Sequence, residues 1–366
     1  MRLTLIAGAR PNFMKIAPII HAIEKSDISA SIQYRLVHTG QHYDANMSQQ
    51  FFEQLNIPKP HVNLECGGGS QAEQTANIMV RFEKELLANP ADLVLVVGDV
   101  TSTMACAIVA KKLHTNVAHV EAGIRSGDIT MPEEINRIVT DSITDYFFTT
   151  SIIANENLQM SGISRNKIYY VGNTMIDTLL NNMDRLVKPF FWDEAGLKNK
   201  DYLVLTLHRP NNVDDESNLN QLLTAVTSSS RKLPIVFPVH PRTRAKLNGI
   251  GSSFSNLILV EPLPYLQFNY LVKHAKAVIT DSGGITEETT VMGVPCMTLR
   301  DSTERPETVS IGTNELVGTD PFAIPPYMDK LFEGSWKKGG IPELWDGHTA
   351  ERIVAHLEQI LHEVAV

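Results

Sequence analysis

The chain has 366 residues, which is enough for two domains of ordinary size. Its formal net charge of -9 argues against nucleic acid as a partner, because phosphate backbones attract basic surfaces. Its three cysteines lack metal or disulfide spacing, and no apolar run is long enough to span a bilayer. We therefore expect a cytoplasmic protein with no bound metal and no membrane contact.

Apolar runs alternate with helical segments along the whole chain, a pattern typical of parallel α/β sheets. In the first half, the predicted strands are 3–7, 34–39, 92–97, 116–120, 145–149 and 168–171. The second half repeats the pattern with predicted strands 202–207, 234–239, 257–260, 277–280 and 295–299. We predict two Rossmann-like, doubly wound domains that face each other across a cleft. The predicted domains are 1–178 and 179–348, with an amphipathic terminal helix at 349–366 and a linker at 190–200.

Polar side chains follow the predicted strands of the first half, where open α/β sheets bind their ligands. Arg10 and Lys15 are cations that suit a diphosphate, and the alternative for each is a solvated surface charge. Asp99 and Glu121 each follow a strand, and Glu133 lies in the first turn of a predicted helix, where negative charge is also favoured structurally. Three carboxylates around one cleft suit proton transfer at carbon, with one as base and a neighbour as acid.

A strand that ends at Asp281 is followed by Ser282, Gly283 and Gly284 and then by a helix. Such a turn presents backbone N–H groups at the positive end of the helix dipole, which suits a phosphate. The second glycine lets the backbone approach a ligand closely. An ordinary serine-capped turn is the alternative reading. Glu288 lies about one turn into the helix, within reach of a ribose diol.

Further candidate ligands of the second half follow other predicted strands. His208 and Arg209 stand at a strand end, and His240 adds a cation after the next strand. Phe268 suits either stacking on a base or a place in the core. Arg305 belongs to a polar, ligand-like loop.

Eight motifs, in order over almost the whole chain, resemble those of the non-hydrolysing UDP-N-acetylglucosamine 2-epimerases. They are Gly8-Ala9-Arg10-Pro11, Gly98-Asp99, His119 to Arg125, Pro132 to Arg137, Gly172-Asn173, His208-Arg209, Asp281 to Glu288 and Glu304-Arg305-Pro306. The resemblance implies the two-domain fold of the type B glycosyltransferases, with the terminal helix packed back on the first domain. It also implies a homodimer and a role in making bacterial surface polysaccharide precursors.

The activity implied by the resemblance is interconversion of UDP-GlcNAc and UDP-ManNAc at sugar C2. The C2 proton is removed and UDP is expelled to give 2-acetamidoglucal, and UDP then re-adds after proton return on the opposite face. No nicotinamide or other cofactor and no metal is implied. The matching catalytic positions are Asp99, Glu121, Glu133 and His208. The substrate-binding candidates are Arg10, Lys15, Phe268, Ser282, Gly283, Gly284, Glu288 and Arg305.

Bacterial members of this family often bind a second substrate molecule as an activator, at positions that correspond to Gln41, Arg209 and His240. This chain departs from that pattern, with Asp44 where a second glutamine is usual and Ser70 where an arginine is usual. Relatives that act on 2,3-diacetamido sugars or uronic acids share these departures. The alternatives are therefore a 2-epimerase of such a sugar, a UDP-sugar glycosyltransferase of the same fold, or a nucleotide-sugar-binding regulator without turnover.

Overall fold

The computed structural model describes residues 1–27, 31–41, 52–239, 241–247 and 254–364. The chain divides into two compact units, the first made of Met1–Asn181 with Glu343–Val366 and the second of Asn182–Pro342. The domain limits placed at 178 and 348 from the sequence stay a prediction, which limited proteolysis would test.

Among the described residues, the first unit is built on a seven-stranded parallel sheet. Its strands are Arg2–Ala7 (β1), Gln33–His38 (β2), Val62–Asn63 (β3), Leu93–Val97 (β4), Asn116–Val120 (β5), Tyr146–Thr149 (β6) and Ile168–Tyr170 (β7). Their spatial order is β3-β2-β1-β4-β5-β6-β7. The helices are Arg10–Lys25 (α1), Gln71–Ala88 (α2), Thr101–Lys112 (α3), Pro132–Ile143 (α4), Ile152–Met160 (α5), Thr174–Asn181 (α6) and the terminal helix Thr349–Val364.

Local sequence explains these elements. Every residue of β4 is buried, as expected for a parallel strand covered by helices on both faces. Helix α2 begins at a capping box, in which the Ser70 hydroxyl accepts from the Glu73 N–H and the Glu73 carboxylate accepts from the Ser70 N–H. Ile78, Phe82 and Leu86 recur every four residues and bury one face of that helix.

The terminal helix is held to the first unit by a buried acid. Asp177, in α6, accepts hydrogen bonds from the backbone N–H groups of Thr349 (3.2 Å) and Ala350 (2.7 Å). These two groups are among the N–H donors that a helix start leaves without a partner inside the helix. The terminal helix also packs against α1 and α6. The last helix of the chain therefore completes the first unit.

The second unit repeats the architecture, with a six-stranded parallel sheet among the described residues. Its strands are Leu203–Thr206 (β8), Ile235–Pro238 (β9), Leu257–Val260 (β10), Ala277–Thr280 (β11), Cys296–Thr298 (β12) and Asn314–Leu316 (β13). Their order is β10-β9-β8-β11-β12-β13. The helices are Pro210–Val213 (α7), Glu216–Ser229 (α8), Pro241–Leu247 (α9), Tyr265–His274 (α10), Gly283–Met292 (α11), Pro306–Ser310 (α12) and Ile324–Phe332 (α13).

The prediction of a linker at 190–200 is wrong. Phe191, Trp192 and Leu197 are buried and belong to a hydrophobic cluster of the second unit, together with Tyr202. The Trp192 ring packs edge-on against the Tyr202 ring, with centroids 5.2 Å apart. The aromatic residues of this segment thus bury apolar area that a solvated linker would leave exposed.

Membrane and metal sites were also expected to be absent. Within the described ranges, no helix is both long and apolar enough to cross a bilayer. The same part of the chain holds no group of three or more His, Cys, Asp or Glu side chains arranged for a metal ion. The cysteines are buried thiols, and burial raises the pKa of Cys106 and Cys296. Buried thiols with a raised pKa pack as small apolar groups and are poor nucleophiles.

Candidate active site

Both sheets reverse their strand order beside their first strand, at β1/β4 in the first unit and at β8/β11 in the second. Ligands of open parallel sheets bind outside the carboxyl ends of the strands at this point. Gly8–Arg10 and Gly98–Asp99 follow β1 and β4, while His208 and Asp281 lie just beyond β8 and β11. The predicted motifs of each half therefore stand at the switch point of their own sheet.

A buried ion pair lies at the switch point of the first sheet. The ammonium of Lys15 is 2.6 Å from Oε2 of Glu121, and both residues are almost fully buried. A Cβ built on Gly98 would lie 2.9 Å from Lys15 Nζ and 3.7 Å from Glu121 Oε2. The Lys15 side chain is therefore not a solvated surface charge, and Glu121 holds a compensated charge in a dry environment.

Asp99 is held by an arginine that sequence reasoning did not single out. The guanidinium of Arg137 donates to Asp99 Oδ2 from Nη2 (2.6 Å) and Nε (3.1 Å), and to Glu134 Oε2 from Nη1 (2.6 Å). Glu134 also accepts from the N–H groups of Ser126 and Gly127. Burial acts to raise the pKa of Glu134, but these hydrogen bonds and the Arg137 charge outweigh it and lower the pKa. Arg137 thus binds Asp99 to helix α4, and Glu134 fixes the loop before that helix.

Glu133 lies in the first turn of α4, half-buried, and the structure shows it in no hydrogen bond or ion pair with the described residues. The same helix is fastened to the Asp99 loop a second time, because Asn136 Nδ2 donates to the Asp99 carbonyl at 2.8 Å. The structure therefore brings Lys15, Glu121 and Asp99 into one cluster around Gly98. It places Glu133 on the helix that holds Asp99 in position.

Arg10 is the first residue of α1 and is half-buried. The turn before it is fixed by the buried side chain of Asn12, whose Oδ1 accepts from the N–H groups of Gly8 (3.1 Å) and Ala9 (2.9 Å). The Asn12 amide donates in turn to the carbonyl of Val97, at the end of β4. One amide side chain therefore joins the ends of the two strands at the switch point, with Arg10 beside it.

A buried aspartate organises the corresponding point of the second sheet. Asp281 is fully buried and accepts from the backbone N–H groups of His208 (3.0 Å) and Arg209 (2.9 Å) and from the Asn212 amide (3.1 Å). Its Oδ1 also lies 2.7 Å from Nδ1 of the exposed His208 imidazole. Burial acts to raise the pKa of Asp281, but the hydrogen bonds and the His208 contact lower it. Asp281 therefore anchors His208 through Nδ1, a role that its place at a strand end did not reveal.

The Ser282-Gly283-Gly284 turn leaves room above the start of α11. Ser282 is the N-cap residue, but its side chain makes no capping hydrogen bond, so the serine-capped turn considered from the sequence is not formed. A Cβ built on Gly284 would meet nothing within 4 Å. A Cβ built on Gly283 would lie 2.5 Å from Glu304 Oε1, a carboxylate paired with the buried Arg300. The helix start is thus open at the second glycine and closely packed at the first.

The other predicted ligands of the second unit are placed differently from one another. Glu288 is buried, and Asn269 Nδ2 lies 3.4 Å from its Oε1. Phe268 is half-buried against the hydrophobic cluster that contains Trp192. Arg305 is buried, with its Nε 2.6 Å from Glu287 Oε1, and so ties its loop to α11.

The candidate allosteric residues are not brought together by the described structure. In the first unit, Gln41 Oε1 accepts from the Ser102 hydroxyl (2.8 Å) and N–H (3.2 Å). In the second, Arg209 Nε donates to the Asp281 carbonyl at 3.0 Å. His240 and Asp44 lie outside the described residues. Allosteric binding at these positions stays a prediction.

A family model described as UDP-N-acetylglucosamine 2-epimerase matches residues 24–358. The chain belongs to the UDP-N-acetylglucosamine 2-epimerase family. A member of this family from Methanocaldococcus jannaschii, named UDP-N-acetylglucosamine 2-epimerase, is 41% identical over 368 residues, which are 97% of this chain and 98% of the relative. The UDP-2,3-diacetamido-2,3-dideoxy-D-glucuronate 2-epimerase of Pseudomonas aeruginosa is 40% identical over 322 residues, or 87% of this chain and 88% of the relative.

Solved structures of this epimerase family share the fold. The crystal structure of Methanocaldococcus jannaschii UDP-GlcNAc 2-epimerase in complex with UDP-GlcNAc and UDP aligns with a TM-score of 0.87, covering 98% of this chain and 100% of that chain at 41% identity. A structure described as a UDP-N-acetylglucosamine 2-epimerase from Listeria monocytogenes aligns with a TM-score of 0.89, covering 99% and 97% at 31% identity. The predicted fold class, two Rossmann-like domains of the glycosyltransferase-B type, is confirmed.

Proposed function

We propose that the protein is a non-hydrolysing 2-epimerase that interconverts UDP-GlcNAc and UDP-ManNAc. The observation that carries the proposal is the pair of carboxylates at the switch point of the first sheet. Asp99 and Glu121 are each paired with a cation, Arg137 and Lys15, in a chain 41% identical to a relative with this activity in its name. A protein that only bound a UDP-sugar would not need two compensated carboxylates there.

In the proposed reaction, a carboxylate of the first unit removes the C2 proton, and the C2–H electron pair forms the C1=C2 double bond. The C1–O bond breaks, and its electrons leave with UDP, so the products are 2-acetamidoglucal and UDP. Return of a proton to the opposite face of C2 and attack of the UDP β-phosphate oxygen on C1 give the epimer. Because the C2 proton is not acidic, departure of UDP has to be assisted by groups that stabilise its negative charge.

We assign that assistance to the basic groups and backbone N–H groups at the switch points. Gly284 leaves the start of α11 open to a phosphate, and Ser282 keeps a hydroxyl that the helix does not use. His208 and Arg10 add basic side chains at strand ends. Phe268 is assigned to uracil and Glu288 to the ribose. Lys15 and Arg305 are each bound to a buried carboxylate, so direct contact of these two with substrate stays a prediction.

The wider setting is also part of the proposal. A homodimer in the cytoplasm that supplies surface polysaccharide precursors fits the family resemblance of the sequence. Light scattering on the purified protein would test the dimer. A monomer at micromolar concentration would contradict it.

The decisive experiment is incubation with UDP-GlcNAc in D2O, followed by proton NMR. We expect deuterium at C2 and the appearance of UDP-ManNAc with no acceptor present. A glycosyltransferase would show neither without an acceptor. The panel also includes UDP-ManNAc and a UDP-2,3-diacetamido uronic acid, because one relative acts on that class by name. Turnover of the uronic acid alone would move the assignment to that sugar.

Variants test the roles of the carboxylates. Asp99→Asn, Glu121→Gln and Glu133→Gln should each lower kcat by about 10²-fold or more, as expected for lost acid–base groups. Wild-type turnover in all three would refute the assignment. Arg10→Ala should weaken UDP binding measured by calorimetry, and an unchanged affinity would remove Arg10 from the diphosphate site.

A further inference from the structure

His119 lies in β5, is fully buried, and joins two acceptors that belong to different segments of the first unit. Its Nε2 is 2.9 Å from the carbonyl oxygen of Gly98, and its Nδ1 is 2.7 Å from Oδ1 of Asp141. A carbonyl oxygen only accepts hydrogen bonds, so Nε2 carries a proton. The state of Nδ1 then depends on whether Asp141 is ionised.

Asp141, in α4, accepts from every neighbour it contacts. Besides His119, its Oδ2 accepts from the N–H of Gly123 at 3.1 Å and from Nη1 of Arg125 at 2.6 Å. Burial acts to raise the pKa of Asp141, but the His119 hydrogen bond and the charges of His119 and Arg125 outweigh it, so the pKa is lowered. An ionised Asp141 has no proton to offer, so Nδ1 is the donor. His119 is therefore a buried imidazolium with Asp141 as its counter-ion.

These two residues hold the strand ends that carry two of the proposed catalytic carboxylates. Through His119, Asp141 reaches Gly98, the residue before Asp99. Through the N–H of Gly123, it reaches the turn that begins with Glu121. The carboxylates follow different strands, and one acid on α4 is bonded to both strand ends.

The backbone of Glu121 shows why such support is needed. Its φ of +71° lies in the left-handed region, which costs a non-glycine residue of order 1 kcal/mol or more and persists only where surrounding contacts enforce it. The N–H groups of Glu121 (3.0 Å) and Ala122 (3.1 Å) both donate to the carbonyl of Phe148, and the next N–H, of Gly123, donates to Asp141. Three successive N–H groups are thus used to hold the turn, one of them by Asp141.

We propose that His119 and Asp141 are positioning residues, which act through Gly98 and the Glu121 turn to set the places of Asp99 and Glu121. This inference rests on the proposed epimerase activity. Misplacement of a catalytic group by about 1 Å can cost about 10²-fold in rate, so loss of this support should appear in kcat and not in binding of the UDP portion.

The first test uses a matched pair of aspartates. Asp145 also accepts from a cation and a backbone N–H of β5, but at the start of the strand: Lys111 Nζ (2.8 Å) and Val117 N–H (2.8 Å). We expect Asp141→Asn to lower kcat by about 10²-fold with UDP affinity within about twofold of wild type. Asp145→Asn should lower the melting temperature and leave kcat within about twofold. Equal kcat in both variants would overturn the proposal.

The second test separates positioning from simple packing. In His119→Gln the amide nitrogen takes the place of Nε2 and keeps the bond to Gly98, whereas in His119→Asn it takes the place of Nδ1 and keeps the bond to Asp141. If His119 acts by setting the Gly98–Asp99 peptide, the glutamine variant retains more kcat than the asparagine variant, at similar KM. Equal losses, or a better asparagine variant, would refute that role.

A third measurement does not depend on activity. Nitrogen-15 NMR of histidine-labelled protein should show both ring nitrogens of His119 protonated at pH 7, with the signal assigned by its loss in His119→Gln. A neutral ring would overturn the inference whatever the kinetics. If the wild type exchanges no deuterium at C2, the proposed function fails, while the NMR result still decides the state of His119.

Discussion

Replacing Gly284 with alanine separates ligand binding from folding at the start of α11. Gly284 lies in the first turn of the helix, with helical backbone and no atom within 4 Å of a Cβ built there. Alanine at a compatible helical position stabilises a protein by about 0.4–1 kcal/mol, chiefly because the unfolded chain loses freedom. The unliganded variant should therefore unfold at a slightly higher denaturant concentration than the wild type.

The same methyl group should obstruct a phosphate. Hydrogen bonds from backbone N–H groups to a phosphate need N···O distances of about 2.9 Å, and a methyl beside them keeps the anion further away. Loss of one or two charge-assisted hydrogen bonds, at about 1.5–3 kcal/mol each, weakens binding by about 10- to 100-fold or more. Gly284→Ala should thus be at least as stable as the wild type and bind UDP more than tenfold less tightly.

Calorimetry with UDP and urea denaturation of the unliganded protein measure the two effects separately. Gly283→Ala is the control, because its Cβ would lie 2.5 Å from Glu304 Oε1 and would disturb the carboxylate that pairs with Arg300. That variant should lose stability as well as affinity. Wild-type UDP affinity in a stable Gly284→Ala protein would refute the assignment of this turn to the diphosphate.

Three further predictions concern stability. Burial lowers the pKa of His38 to about 4, so the unfolded chain, with a pKa near 6.5, takes up a proton that the folded state refuses between those values. Stability should therefore fall by up to about 3 kcal/mol as pH drops from 6.5 to 4, and His38→Asn, which keeps an acceptor for the Gly40 N–H, should remove this contribution in denaturation at pH 7 and pH 5; equal slopes would contradict it. Asp177→Ala should cost about 1–2 kcal/mol and speed amide exchange in the terminal helix, and unchanged exchange there would count against the anchor. Phe82→Ala should cost about 3–5 kcal/mol in urea denaturation, whereas the exposed Leu87→Ala on the same helix should cost less than about 0.5 kcal/mol.

The strands were predictable from the sequence because parallel strands buried on both faces are continuous apolar runs. The predicted bounds of 116–120, 257–260 and 277–280 agree with β5, β10 and β11. The two-residue β3 and the three-residue β13 were missed, because runs that short carry no periodic signal. The aromatic residues of 190–200 were misread, because their burial depends on the cluster they join.

The candidate site shows the same division. The sequence by itself determined which polar residues follow the strands, and hence that Asp99, Glu121 and His208 stand at sheet edges where ligands bind. Only the tertiary structure decided their partners: Arg137 for Asp99, Lys15 for Glu121 and Asp281 for His208. These pairs join residues 38, 106 and 73 positions apart, and their protonation and aim depend on which strands become neighbours. Strand order and burial are properties of the folded chain, so no local pattern in the sequence could disclose those pairings.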